Sequence, residues 1–274
     1  MDLMGTVKTE YLMEHPDEAL RLDLKTDPEM VIKQAHWCGL RPGMRVLDAG
    51  CGPGKVTSIL NEIIQPGGEI IGVDYSEERI DYAKTHYSNG VDINYRVHDL
   101  RSDLKDLGQF DLIWVRFLLE YNLAECTKIV RHLSDCLKPG GSLCLIDLDY
   151  NCLTHYKLPD KMENILLKIM KRLELEHNFD PFAGRKLYSH LYDLGYQDIR
   201  LDLSAHHLLY GDIKDREMFA WLKKMEIFSL NAGELFEDYP GGKDSFLYDF
   251  KGFFFNPRRF TYTPLIICIG TKPS

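Results

Sequence analysis

The sequence predicts an α/β fold: a doubly wound, mostly parallel, seven-stranded sheet with helices on both faces and a helical cap. Three observations carry that prediction. Short apolar runs alternate with helix-period patterns from Met44 to Tyr150, and such alternation builds parallel sheets through right-handed crossovers. The run "FDLIWVRF" at 110–117 is apolar at successive positions, as a strand covered on both faces should be. Between the first apolar run and the first helical pattern stands "DAGCGPG" at 48–54. A turn with so little side chain lets the backbone bend sharply and come close to a ligand.

The elements follow in order. The segment 1–41 is expected to form a helical cap over the mouth of the sheet. "MRVLDAG" at 44–50 reads as the first strand, and "KVTSILNEII" at 55–64 as a helix with apolar positions three and four apart. The turn signal "QPGG" introduces the second strand, "GEIIGVD" at 68–74. In "SEERIDYAKTHY" at 76–87, Ser76 suits a cap, Glu77 and Glu78 suit the first turn, and Ile80 and Ala83 mark a buried face. "DINYRVHD" at 92–99 is the third strand and "FDLIWVRF" the fourth. "AECTKIVRHLSDCL" at 124–137 is a helix stopped by "KPGG", and "SLCLIDLDY" at 142–150 is the fifth strand. Thus 42–150 forms the core, and 151–274 reads as the remainder of the same domain, with insertions that cover the substrate and two closing strands. Those strands are "YQDIRLDLSAHHLL" and "TYTPLIICIGTKP", and three further helical patterns lie at 160–178, 183–195 and 215–230. No linker separates a second domain.

Composition narrows the function. Hydrophobic residues make up 45% and charged residues 27%, the balance of a globular protein. A net charge of -9 disfavours a nucleic-acid partner, since phosphates want a basic surface. No apolar run approaches the roughly 18 residues of a membrane span. The opening "MDLMGTVKTEYLMEHPDEALRLDL" is too acidic and broken for a secretory signal. The seven cysteines are scattered, without a CxxC pair. They read as reduced thiols of a cytoplasmic protein, and no metal site is expected.

The glycine turn has two phosphate-binding competitors, and both fit poorly. A dinucleotide fingerprint wants a third glycine where Lys55 stands, and no acidic residue where Asp48 stands. A P-loop wants Ser or Thr after Lys55, where Val56 stands, and glycine where Ala49 stands. The chain instead resembles the class I S-adenosylmethionine-dependent methyltransferases. "VLDAGCGPG", "GVDYS" at 72–76, "VHDL" at 97–100, "FDLIWVRFLLEYN" and "LKPGGSLCLIDLD" match their successive motifs from position 45 to 149 in order. The opening "EYLMEHPDEALRLDLKTD" and the segment "RFLLEY" resemble more narrowly the branch of the ubiquinone and menaquinone methyltransferases.

That resemblance implies a Rossmann-like sheet, S-adenosyl-L-methionine as cofactor and S-adenosyl-L-homocysteine as its product. It also implies a set of site residues. The amides of Gly50, Cys51 and Gly52 suit the cofactor carboxylate. Asp48 would receive its ammonium group, directly or through water, or would only cap the turn. Asp74 would accept the ribose hydroxyls, or cap the helix that begins at Ser76. Tyr75 would lie on the adenine face, with Ser76 beside it also in contact with the cofactor. Asp99 would take the exocyclic amine, with Leu100 or His98 closing the ring pocket, unless Asp99 serves only its turn. Arg116 faces the same crevice or pairs with Glu120. The resemblance further implies Tyr11 and Arg21 at the methionine end, against a plain packing role. Cys51 reads as a small packing group and Lys55 as a surface charge.

No catalytic base is identifiable. Tyr150, His155, His206 and His207 are candidates by position, and strand alternation puts His206 and His207 on opposite faces. The expected partner is a small-molecule methyl acceptor, with no nucleic acid. The segments left to build its pocket are rich in Tyr, Phe, Leu and Met and poor in basic clusters. A non-catalytic cofactor-binding regulator and an RNA or protein methyltransferase remain as alternatives.

Overall fold

The computed structural model describes residues 11–274 apart from Pro16, Asn89, Val91 and Asn231, so the first ten residues of the expected cap lie outside the described residues. Two helices lead, α1 (Glu18–Lys25) and α2 (Pro28–Trp37). Asp27 caps α2 through the amides of Glu29 and Met30, and Pro28 sits in its first turn, where a missing N–H costs nothing.

The alternating unit then runs β1 (Arg45–Ala49), α3 (Lys55–Ile64), β2 (Glu69–Asp74), α4 (Glu77–Tyr87), β3 (Asn94–Val97), β4 (Phe110–Arg116), α5 (Cys126–Asp135) and β5 (Leu137–Leu148). A two-residue strand β6 (His155–Tyr156) follows, then α6 (Asp160–Glu176), α7 (Leu187–Asp193), β7 (Gln197–Tyr210), α8 (Asp215–Leu230), α9 (Gly242–Phe255) and β8 (Phe260–Thr271). The strand order is β3-β2-β1-β4-β5-β8, with β6 and β7 both paired to β8. Pairings among β1 to β5 are parallel, and those with β8 are antiparallel. The order reverses beside β1, where β2 and β4 flank it. Ligands of open α/β sheets bind at such a point, beyond the carboxyl ends of the strands.

Side-chain alternation fills both faces of the sheet. Leu47, Ile71, Ile113 and Leu143 pack on one side with Leu133 of α5 and Leu191 of α7. Val46, Ile70, Trp114 and Cys144 pack on the other with Val31 of α2, Leu60 of α3 and Ile80 of α4. A third cluster joins α6, α8 and α9 around Phe228, Phe246, Phe250 and Phe254. The aromatic stretch before the last strand therefore belongs to a helix, α9, which buries Phe246, Phe250, Phe253 and Phe254 and which the sequence reading did not mark as an element.

The β7 strand departs from simple alternation. His207 adopts φ of 52°, and the pairing with β8 shifts register between His206 and Leu209. A bulge inserts an extra residue and re-aims its neighbours. The rings of His206 and His207 consequently lie 3.9 Å apart, centroid to centroid, instead of on opposite faces.

Candidate active site

The carboxyl ends of β1 to β4 border one cavity, and the leading segment closes over it with Tyr11, Leu22, Lys25 and Thr26. Its wall is built from the turn after β1. The amides of Gly50 and Cys51 both donate to the Val73 carbonyl, at 2.8 and 2.9 Å, which folds the turn back toward β2. Gly52 has φ of 53°, and its amide donates to Asp74 Oδ2 at 3.0 Å. The amides of Gly50, Cys51 and Gly52, expected to meet the cofactor carboxylate, are thus all bonded within the protein, because they fold the turn onto β2. Gly54 begins α3 at φ of 89°, where a Cβ would lie 2.6 Å from that of Ala83.

Asp74 joins the turn to the next helix. Its Oδ1 accepts from the Ser76 amide at 3.0 Å and from Arg79 Nε at 3.2 Å, and the residue still lines the cavity. Arg79 was not singled out in the sequence. It stands one turn into α4, five residues after Asp74, which is the signal that would have found it. Its guanidinium also pairs with Glu14 at 3.0 Å and lies against the rings of Tyr11 and Tyr75 at 4.9 and 5.0 Å. Burial opposes that charge, but Asp74 together with Tyr11, Tyr75 and Glu14 more than offsets the cost and holds the proton above the usual value. The Tyr75 hydroxyl donates to Glu14 as well, at 3.1 Å.

At the end of β3, Asp99 accepts from Arg101 through its amide at 2.9 Å and its Nε at 2.8 Å. The Arg101 bond holds the Asp99 carboxyl below its usual value despite partial burial. His98, Leu100 and Arg101 line the cavity beside it.

Three expected residues stand outside the lining. Asp48 lies beneath the turn, 2% exposed, and accepts from the Thr57 hydroxyl at 2.6 Å. Burial pushes its carboxyl up to about 7, against the Thr57 bond and the Arg116 charge. Ser76 is taken up with capping: its Oγ accepts from the Arg79 amide at 3.3 Å. Arg21 is fully engaged by Glu18, one turn earlier, at 2.6 and 2.7 Å. A buried guanidinium needs such a partner. Glu18 also accepts from the Tyr11 hydroxyl at 3.0 Å, so Arg21 supports Tyr11, and only Tyr11 reaches the cavity.

The far end of the cavity carries Arg116, Phe117 and His206, with Lys25 from α1. Arg116 does not pair with Glu120, which instead accepts from Asn151 at 2.6 Å. Burial pushes the Arg116 guanidinium down to about 10. Phe117 adopts φ of 56°, a conformation that costs a bulky side chain energy. Of the other base candidates, His155 bonds the Cys152 carbonyl and the Thr261 hydroxyl at 3.1 and 2.9 Å, among aromatic rings away from the cavity. Tyr150 packs on Phe182, also outside the lining. Lys25 was missed because it reads as the last charge of a surface helix.

Among the described residues no cluster could hold a metal, and no helix is long and apolar enough to cross a membrane. The seven cysteines are free.

Comparison with known proteins agrees with this arrangement. The family described as "Methyltransferase domain" matches residues 40–193, more than half of the chain. A ubiquinone biosynthesis O-methyltransferase of Coxiella burnetii is 36% identical over 111 residues, covering 40% of this chain and 45% of that protein. The chain thus spans about half the length of the curated relatives it matches. Among solved structures, a methyltransferase of Bacillus halodurans aligns over 90% of this chain and 100% of its own, with a TM-score of 0.57 at 15% identity. A Haemonchus contortus phosphoethanolamine N-methyltransferase aligns over 98% of this chain and 61% of its own, with a TM-score of 0.61 at 14% identity. At these identities the structural likeness is one of fold. Fold, glycine turn, acidic strand end and family match converge: the chain belongs to the class I S-adenosylmethionine-dependent methyltransferases.

Proposed function

We propose that this protein transfers a methyl group from S-adenosylmethionine to a small-molecule acceptor inside the roofed cavity. The observation that carries the reading is the bond from the Gly52 amide to Asp74. It fixes a glycine turn and a carboxylate on one wall, as a ligand joining an amino acid to a nucleoside requires. Asp74 Oδ2, which among the described residues accepts only from Gly52, keeps a lone pair for a ribose hydroxyl. Asp99 and Leu100 offer an acceptor and an apolar wall to adenine, and the Tyr75 ring offers it a stacking face. Arg116, whose Nε is buried without a partner, suits the carboxylate of the amino-acid end. Asp48 acts from behind, holding the turn to α3 through Thr57.

When bound, S-adenosylmethionine supplies a methyl group already activated on a sulfonium sulfur. The protein's own work is then to orient the two reactants and exclude water, and orientation alone supplies several kcal/mol. Leu22, Phe117, Leu118, Tyr121 and Ile129 give the acceptor side an apolar lining. The roof formed by the leading segment suits a small acceptor better than a polymer, as does the O-methyltransferase name of the Coxiella relative. We read the protein as cytoplasmic.

The test is methyl transfer from labelled donor to small-molecule extracts, RNA and protein in parallel. Label is expected in the small-molecule fraction. Label confined to RNA or protein, falling steeply with added salt, would contradict the small-molecule reading.

A further inference from the structure

The cavity is electrostatically lopsided. Its adenosine end holds Asp74 and Asp99, each matched by an arginine. Its far end holds Lys25, Arg116 and His206, gathered around one ring. From the Phe117 centroid, Lys25 Nζ lies 5.0 Å away, Arg116 Cζ 4.0 Å and the His206 ring 5.2 Å. Among the described residues none of the three side chains makes a hydrogen bond or ion pair, and both ring nitrogens of His206 are buried without partners at 6% exposure.

The nearby carboxylates act on Lys25 and Arg116 through space, but among the described residues none is within ion-pair distance of them. Glu120 is bonded to Asn151, whose Oδ1 accepts from Lys224 at 2.7 Å, so Lys224 shares the Glu120 charge with Lys25. Asp147 accepts from the amides of Leu119, Glu120 and Leu148. Asp48 is bonded to Thr57, and Asp27 caps α2. Burying cations without an anion is expensive. Burial, with Lys224 and Arg21 and against the attraction of Glu120, pushes the Lys25 ammonium down to about 7.

The cofactor of the proposed reading does not remove the excess. Its carboxylate can satisfy one cation, but its sulfonium adds another positive charge at the same end. With Arg116 given to that carboxylate, we propose that Lys25 and His206 form an anion-binding acceptor subsite that receives a small molecule through a carboxylate or an ionised hydroxyl. This rests on the methyltransferase reading and names its substrate class. A protonated amine would meet Lys25 and the sulfonium together, so amine acceptors are disfavoured. An anionic oxygen would bridge Lys25 and a donating nitrogen of His206, with the Phe117 ring beneath a planar substituent. The sequence alone hides this grouping, since Lys25, Arg116 and His206 come from the cap, the fourth strand and a bulge in the seventh.

The test uses the full chain saturated with S-adenosylhomocysteine, with benzoate and benzylamine as probes in titration calorimetry. Benzoate should bind at millimolar concentration and benzylamine should not. Lys25→Met should weaken benzoate by about tenfold or more, the scale of a lost charge-assisted contact, while Lys25→Arg keeps most of the affinity. Both variants should bind S-adenosylhomocysteine like the unaltered protein. Benzylamine binding as well as benzoate, or no benzoate binding at all, would overturn the proposal. So would a Lys25→Met variant that keeps benzoate, or one that loses S-adenosylhomocysteine instead, since Lys25 would then serve the cofactor carboxylate. Failure of the unaltered protein to bind S-adenosylhomocysteine would count against the methyltransferase reading itself, which is a separate result.

Discussion

Asp74 does two things with one carboxylate. It stitches the turn to α4 through Gly52, Ser76 and Arg79, and it faces the cavity. Asp74→Ala should therefore weaken S-adenosylhomocysteine binding by about 1.5–3 kcal/mol, the scale of a charge-assisted hydrogen bond. Titration calorimetry checks the affinity and thermal unfolding without cofactor checks the fold; normal binding with much earlier unfolding would make Asp74 a structural cap. Asp48 makes the opposite kind of prediction. Its carboxyl is pushed up to about 7 by burial, so the folded state binds its proton more tightly than the unfolded chain does. That contribution is complete below the ordinary carboxylate value and is lost as pH rises toward 7. Asp48→Asn, which cannot ionise, should be relatively more stable against the unaltered protein at pH 8 than at pH 5. Denaturant unfolding at the two values measures this, and an unchanged difference would show that Asp48 is ionised throughout.

At the scale of elements, the sheet and its motifs were legible because each signal is local. The strand ends, the glycine turn and the Ser76 cap sit where the periodicity put them. The bulge at His207 and the aromatic helix α9 were not legible. A bulge leaves no residue-type mark when it forms at histidine rather than glycine, and the phenylalanines of α9 serve a helix core and a strand core equally well. Arg21 and Ser76 were read as reaching the ligand, but local partners claim both side chains. The turn itself is tested by Gly54→Ala. Its left-handed backbone and the 2.6 Å approach to Ala83 predict a loss of about 2 kcal/mol or more, through strain and overpacking together. Equal stability by denaturant unfolding would remove that account of the turn. The roof is tested through α1, which is tied to the core by Asp23. Its carboxylate accepts from Tyr82 and Tyr87, and Lys55 lies 3.5 Å away. Asp23→Ala should speed S-adenosylhomocysteine release in stopped-flow measurements while changing the unfolding temperature little. An unchanged release rate would mean that α1 is not a lid.

For the whole molecule, the acidic balance of the chain says little about the cavity. A net charge of -9 surrounds a pocket whose far end gathers unmatched cations. Summed charge reports on solubility and long-range steering, whereas the site is set by a few residues drawn together from distant positions. That is why the cofactor end could be read from contiguous motifs and the acceptor end could not. The central claim is that the turn and Asp74 hold a nucleoside joined to an amino acid rather than a dinucleotide. Titration calorimetry of the full chain with S-adenosylhomocysteine and with NAD tests it directly: the account predicts saturable one-to-one binding of S-adenosylhomocysteine and none comparable for NAD, and binding of NAD with no response to S-adenosylhomocysteine would contradict it.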